Sequence, residues 1–200
     1  MAVPCPGCGR SYDEAHFAHG RTLHCACGTR VAGPLPPADP GAELRFAVDA
    51  MLGRLARWLR LLGFDAWYEG GVADEQLVRR ALDEQRWILT RDRALPVEWR
   101  APRVHLVAAE TPFAQLQEVA AAFGLAARAR PFARCSRCNA ALVALAAAEA
   151  ALRVPPAVRA RHAQFRGCPT CGRIYWEGSH VERMRRVLAR LDEPDAGPPA

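Results

Sequence analysis

Apolar residues recur along the middle of the chain in a regular rhythm. Strand-like runs begin near Leu44 (LRFAV), Asp65 (DAWYE), Trp87 (WILT) and Val104 (VHLVA), at intervals of 21, 22 and 17 residues. The stretches between the first three, and after the fourth, carry helical periodicity. In Met51–Leu62 the residues Met51, Leu52, Leu55, Trp58, Leu59 and Leu62 share one arc, and Arg54, Arg57 and Arg60 share the opposite one. Leu77, Val78, Ala81 and Leu82 repeat the pattern. Phe113, Leu116, Val119, Ala120 and Phe123 do so in a helix opened by Thr111-Pro112. The segment from Val97 to Arg103 has no such pattern and reads as a loop. Strand–helix alternation at this spacing builds βαβ units, so the expected class is α/β, a parallel sheet with helices on its faces.

The flanks are organised by cysteine instead. Cys5-Pro-Gly-Cys8 is answered, after 16 intervening residues, by Cys25-Ala-Cys27, and Cys135-Ser-Arg-Cys138, after 29, by Cys168-Pro-Thr-Cys171. Two such knuckles facing each other supply four thiolates, the set Zn²⁺ takes tetrahedrally. Gly9, Gly28 and Gly172 follow their knuckles directly, where the tight turn favours glycine. Disulfides or a redox dithiol are the rival readings. The opening MAVPCPGCGR has no apolar leader, so the chain is expected in the reducing cytoplasm, where paired cysteines read as metal sites. Two structural zinc ions are expected, with His16, His19, His24 and His180 left on the surface. The domains follow: an N-terminal zinc ribbon at 1–33, a Pro-rich linker at 34–42, the α/β domain at 43–128, and a C-terminal zinc ribbon with a helical insert at 129–191. That ribbon closes on a helix with a Ser179–Glu182 capping box, before a disordered tail at 192–200.

Composition changes this picture in two ways. The longest uncharged apolar run, Cys138 to Ala148, falls well short of the ~18 residues a membrane helix needs, so no membrane partner is expected. All 27 basic residues are Arg, and the net charge of +6 is uneven. Residues 126–200 hold 13 Arg against six acids, while 43–125 are nearly balanced. Guanidinium forks match phosphate oxygens, so this end suits a nucleic-acid backbone; it also fits a solvated basic face.

The chemistry rests on three acids. Asp49 ends the first strand, Asp92 the third, and Asp74 opens the helix after the second. In a doubly wound sheet the carboxyl ends of the strands share one edge, so these carboxylates converge there. Clustered carboxylates need a cation, and Mg²⁺ or Mn²⁺ suits oxygen ligands. Each Asp also has a plain reading as a helix N-cap. Thr90, two residues before Asp92, either hydrogen-bonds to the acids or is only a strand residue. Arg54 and Arg57, which grip nucleic-acid phosphates or are merely the wet face of their helix, are candidate nucleic-acid contacts with Arg137, Arg166 and Arg173 beside the knuckles. Tyr175 and Trp176 either stack bases or roof the zinc core.

The run FAVDAMLGRLARWLRLLGFDAWYEGGVADEQLVRRALDEQRWILTRDRAL, with RCSRCNAAL and CPTCGRIYWEGSHVERM, resembles the Mut-7-C RNase family across about residues 44–191. The resemblance implies a PIN-like fold and a metal-dependent RNase whose acidic residues match Asp49, Asp74 and Asp92. PIN nucleases often carry a fourth acid, for which Asp65, Glu69, Glu75 and Asp83 are candidates. The expected function is therefore hydrolysis of RNA phosphodiesters, with the zinc ribbons assisting RNA binding. The rival is a non-catalytic RNA- or ribosome-binding zinc protein. An inhibitor protein is a further partner class in view.

Overall fold

A computed structural model describes residues 2–33, 43–176, 178, 186–187 and 189–191. The proline-rich linker, the Ser179–Glu182 capping box, His180, the side chain of His19 and the C-terminal tail lie outside the described residues. In chain order the elements are β1 (Ala2–Pro4), β2 (Ser11–Asp13), β3 (Thr22–His24), β4 (Arg30–Ala32), β5 (Arg45–Val48), α1 (Gly53–Leu61), β6 (Asp65–Tyr68), α2 (Asp74–Asp83), β7 (Trp87–Thr90), α3 (Leu95–Glu98), β8 (Val104–Leu106) and α4 (Pro112–Phe123). They continue with β9 (Val143–Ala144), α5 (Ala147–Arg153), α6 (Pro156–Arg159), β10 (Phe165–Gly167) and β11 (Ile174–Trp176). Short 3₁₀ turns cover Glu14–Gly20, Ala50–Leu52 and Ala126–Arg128. Among the described residues no helix is long and apolar enough to cross a membrane.

The central sheet has the order β6-β5-β7-β8 and is parallel; β5 pairs with β7 (Phe46 opposite Trp87) and β7 with β8 (Ile88 opposite Val104). Counted along the chain, its strands run second, first, third, fourth. The winding therefore reverses direction between β5 and β7, and a doubly wound sheet binds its ligands at that point.

The chain divides into two compact units. The first is Met1–Gly53 with Trp67–Ala108, the second Arg54–Ala66 with Ala109–Ala200. In the first, α2 covers the sheet. Leu77, Val78 and Ala81 meet Ala47, Ile88 and Leu95 in a closed apolar cluster. Each fully buried aliphatic side chain there stabilises by roughly 1.5–3 kcal/mol. Burial of Leu95 gives the four-residue α3 its hold, so the stretch read as structureless from Val97 starts inside a helical turn. The N-terminal hairpins β1–β2 and β3–β4 enclose a smaller core of Cys5, Phe17, Cys25 and Val31.

In the second unit α4 opens as expected. Thr111 caps it by accepting from the Ala114 N–H, Pro112 takes the first turn, and Gly124 ends it in the left-handed conformation. The second ribbon is an antiparallel sheet of order β11-β10-β9. Its apolar contacts are Ala150, Val154 and Phe165 on one side and Leu142 with the cysteines on the other.

Helix α1 departs from its predicted face in two places. Met51, expected inside, is 60% exposed, and Arg60, expected outside, is buried. Met51 precedes the helix in a 3₁₀ turn, so it does not keep the α-helical phase. Arg60 is buried because its guanidinium has carbonyl partners: Nε donates to Ala66 O at 2.7 Å and Nη1 to Arg137 O at 2.8 Å.

Candidate active site and cysteine centres

The three aspartates all lie in the first unit, at the carboxyl edge of its sheet. Asp49 directly follows β5, and its backbone N–H donates to Leu89 O on β7 at 3.0 Å. Its side chain makes no capping bond to the 3₁₀ turn it precedes. Instead the buried Thr90 hydroxyl donates to Asp49 Oδ2 at 2.5 Å, across the point where the winding reverses. The same Thr90 oxygen accepts the Asp92 N–H at 2.9 Å. Asp92 Oδ1 in turn accepts the Ala94 N–H at 2.8 Å, which fixes the turn into α3. Asp74 occupies the first turn of α2, whose cap is Ala73 with no side-chain bond. Capping thus accounts for the side chain of Asp92 but not for those of Asp49 or Asp74.

Electrostatics link these groups. Burial, then the negative charges of Asp49, Asp92 and Glu98, push the Asp74 carboxyl above its ordinary value. Glu98, at the end of α3, carries no signal in the sequence, because a helix of four residues has no periodicity to place it. Of the earlier fourth-acid candidates, Asp65 is committed to Arg134 at 3.3 Å and to Asn139 Nδ2 at 2.7 Å. Glu69 and Glu75 are exposed, and Asp83 sits at the far end of α2 from Asp74. Among the described residues the aspartate oxygens do not form a set within 4.8 Å of one another, as the cysteine sulfurs do.

The eight cysteines form two quartets, Cys5/Cys8/Cys25/Cys27 and Cys135/Cys138/Cys168/Cys171. Sulfurs stand 3.5 and 3.6 Å apart in the first quartet, 3.4 and 3.5 Å in the second. A disulfide needs about 2.05 Å. A tetrahedron with Zn–S bonds of about 2.3 Å has edges of roughly 3.8 Å, so each quartet can hold a zinc ion. All four knuckles share one turn: the residue after the second cysteine has positive φ, 72° at Gly9, 83° at Gly28, 69° at Asn139 and 71° at Gly172. Each donates its N–H to the carbonyl of the first cysteine. In the first quartet the Cys27 N–H and the Tyr12 hydroxyl pull Cys25 down to about 6. The Arg10 N–H also draws Cys8 down, but bonding to the Cys25 and Cys27 thiols carries it up to about 11. In the second, burial opposes ionisation of Cys135, yet the Tyr175 hydroxyl and the Cys138 and Arg137 N–H groups bring it to about 6. Burial carries Cys138 up to about 12. Four thiols this close cannot all ionise without a cation, and the donor set fits zinc.

A family profile described as the Mut7-C RNAse domain matches residues 44–188. The chain belongs to the Mut7-C RNase family. Among curated proteins, and among solved structures, none matches it. The Mut7-C region contains Asp49, Asp74, Asp92, Glu98 and the second cysteine quartet, and leaves the first quartet outside. Membership gives the chain a nuclease-like function related to RNA.

The predicted RNA contacts of this Mut7-C chain divide. Arg54, Arg57, Arg173 and Trp176 line one cleft of about 590 Å³ in the second unit. Arg137 is exposed on its knuckle, where its carbonyl serves Arg60, and Arg166 projects from β10 opposite Tyr175; neither lines the cleft. Tyr175 and Trp176 divide too. The Tyr175 hydroxyl lies 3.1 Å from Cys135 Sγ, against the quartet, while Trp176 is 36% exposed.

Proposed function

We propose that this chain is a PIN-like endoribonuclease that hydrolyses RNA phosphodiester bonds with Mg²⁺ or Mn²⁺ held by Asp49, Asp74 and Asp92. The observation that carries the reading is the buried Thr90 hydroxyl that joins Asp49 Oδ2 to the Asp92 N–H at the carboxyl edge of the sheet, the edge that also carries Asp74. Asp49 and Asp92, distant in sequence, are close enough to act on the Asp74 carboxyl, and two of the three side chains have no capping role. An all-carboxylate donor set of this kind fits a hard divalent ion. When bound, such an ion supplies Lewis acidity toward a phosphodiester and a water of lowered pKa. Thr90 keeps Asp49 Oδ2 oriented and anchors the backbone of Asp92, so two of the three ligands are set by one hydroxyl. Glu98 adds negative charge beside Asp74 and is the fourth acid of the group. In this reading residues 43–128 carry the nuclease. The ribbons at 1–33 and 129–191 hold structural zinc and assist RNA binding, and the enzyme works in the cytoplasm.

The test is cleavage of labelled single-stranded and structured RNA with Mn²⁺, with Mg²⁺ or with neither, by wild type, Asp49→Asn and Asp92→Asn. Loss of a metal ligand should lower the rate by about 100-fold or more while zinc stays at two per chain. Unchanged cleavage removes the site assignment. One observation favours a second reading, a non-catalytic RNA-binding protein: the carboxylate oxygens are less tightly gathered than the cysteine sulfurs. Binding without metal-dependent cleavage by the folded wild type would establish it.

A further inference from the structure

We propose that the cleft of the second unit binds single-stranded RNA, with an unpaired base against its aromatic rings and phosphates on its three arginines. The ligand class rests on the ribonuclease reading above; the site itself rests on the following geometry.

Arg54 and Arg57 are exposed one turn apart on α1, with Trp58 and Leu61 of the same helix in the cleft lining. Arg173 faces the same cleft from the second ribbon. Its backbone is fixed there, since its carbonyl accepts the Cys168 N–H at 2.8 Å. Among the described residues none of these three guanidinium groups has a carboxylate partner; Arg45, Arg80, Arg86, Arg134 and Arg153 all do. Three guanidinium groups around one concavity are complementary to a polyanion.

The lining is aromatic as well as cationic. Trp58, Phe132 and Trp176 all contribute, and Trp176 is among the few large apolar side chains left exposed. Phe132 adopts φ +60°, a left-handed conformation unfavourable for an aromatic residue and kept only where the surroundings impose it. The Tyr175 hydroxyl is committed to Cys135 and Ser136, so the strand that carries Trp176 is pinned to the cysteine quartet. Rings held in place beside guanidinium groups form a stacking platform for nucleobases. A base can use it only when it is free of its partner strand, which selects single strands over duplex. The volume lies within the roughly 300–1,000 Å³ typical of small-ligand sites.

The test measures fluorescence anisotropy of labelled oligouridylate on the full zinc-loaded chain carrying Asp92→Asn, without added divalent cation. Trp176→Ala should weaken binding about tenfold, and Trp176→Phe should retain most of the affinity. Arg57→Gln with Arg173→Gln should lower the slope of log affinity against log salt by about 1.4, two phosphates' worth for a single strand. Oligothymidylate binding as well as oligouridylate supports the stacking site and removes the 2′-hydroxyl from recognition. Duplex RNA or polyglutamate competing as well as the single strand overturns the proposal. So do Trp176→Ala and the double arginine variant binding like the parent with zinc intact. If Asp92→Asn still cuts RNA while the cleft variants lose binding, the nuclease site fails and the cleft stands. If Asp92→Asn is inert and the cleft variants bind unchanged, the cleft fails alone.

Discussion

Thr90 donates its hydroxyl hydrogen to Asp49 and offers its lone pair to the Asp92 N–H, so one buried side chain joins the ends of β5 and the segment after β7. Thr90→Val keeps the shape and removes both bonds. Stranding those buried groups should cost ~1–3 kcal/mol in thermal or urea unfolding. Cleavage should fall by roughly 10–100-fold as Asp49 loses its orientation. Wild-type cleavage by this variant would show that Thr90 is only a strand residue. Asp74 makes the opposite prediction for stability. Its folded-state pKa is raised above the ordinary 3.8. The contribution that favours folding is therefore complete below about pH 4 and lost as pH rises through the folded value; at neutral pH the ionised carboxylate opposes folding. Asp74→Asn should thus melt higher than wild type at pH 7 without added divalent cation, with the gain vanishing near pH 4, while cleavage is lost. Mn²⁺ should raise the melting temperature of wild type more than that of the variant. At this scale the acids are legible in the sequence, because Asp49 and Asp92 end apolar runs and Asp74 opens a helical one. The sequence leaves open whether Thr90 bonds to the acids or is only a strand residue, because the Thr90–Asp49 bond depends on the first and third strands being neighbours. Glu98 was illegible because α3 is too short to have a period and exists through one buried residue, Leu95.

Elements reveal a second use of a knuckle. Three knuckles end in glycine, but the one closing at Cys138 ends in Asn139, which tolerates the same left-handed turn. Its side chain then does what glycine cannot: Oδ1 accepts the Ala66 N–H at 3.1 Å and Nδ2 donates to Asp65 at 2.7 Å. Arg60 from α1 and Arg134 complete the group through the Ala66, Arg137 and Asn139 carbonyls. Asp65 and Ala66 are thereby joined to the ribbon within the second unit. Asn139→Gly keeps the turn and loses both bonds, for an expected cost of ~1–3 kcal/mol with zinc retained. Asn139→Val should cost more, since a β-branched residue resists positive φ. Equal unfolding midpoints for the two variants would mean that backbone conformation contributes nothing there. The helical pattern had placed Arg60 with Arg54 and Arg57 on one wet face. Periodicity reports where a side chain points, and it carries no information on whether carbonyls wait there to receive a guanidinium.

At the scale of the whole molecule, the N-terminal ribbon lies outside the Mut7-C region, yet it belongs to the same compact unit as the three aspartates. The first unit shows what it does there. The carbonyls ending α3 have no helical partner; the ribbon supplies donors to them and an acceptor for the Arg100 N–H that follows. Thr22 Oγ1 donates to Glu98 O at 2.8 Å, Arg30 donates to Pro96 O at 3.1 Å, and Gly20 O accepts the Arg100 N–H at 2.5 Å. The segment that carries Glu98 is held from outside the family region. Gly20 is the tightest point of this seam. It has φ +81°, and a Cβ there would stand 2.4 Å from Arg100 O. Gly20→Ala should therefore leave zinc at two per chain but destabilise the protein by ~1–3 kcal/mol through overpacking and backbone strain. Hydrogen exchange at residues 95–100 should accelerate, and cleavage should fall with it. If the first quartet holds its zinc as proposed, Cys8→Ser should lower zinc to one per chain and loosen the same segment, because so small a core depends on a bound metal. Unchanged exchange in both variants would separate the ribbon from the acidic edge. Loss of exchange protection in Cys8→Ser alone would show that the quartet, and not the Gly20 contact, holds α3 in place.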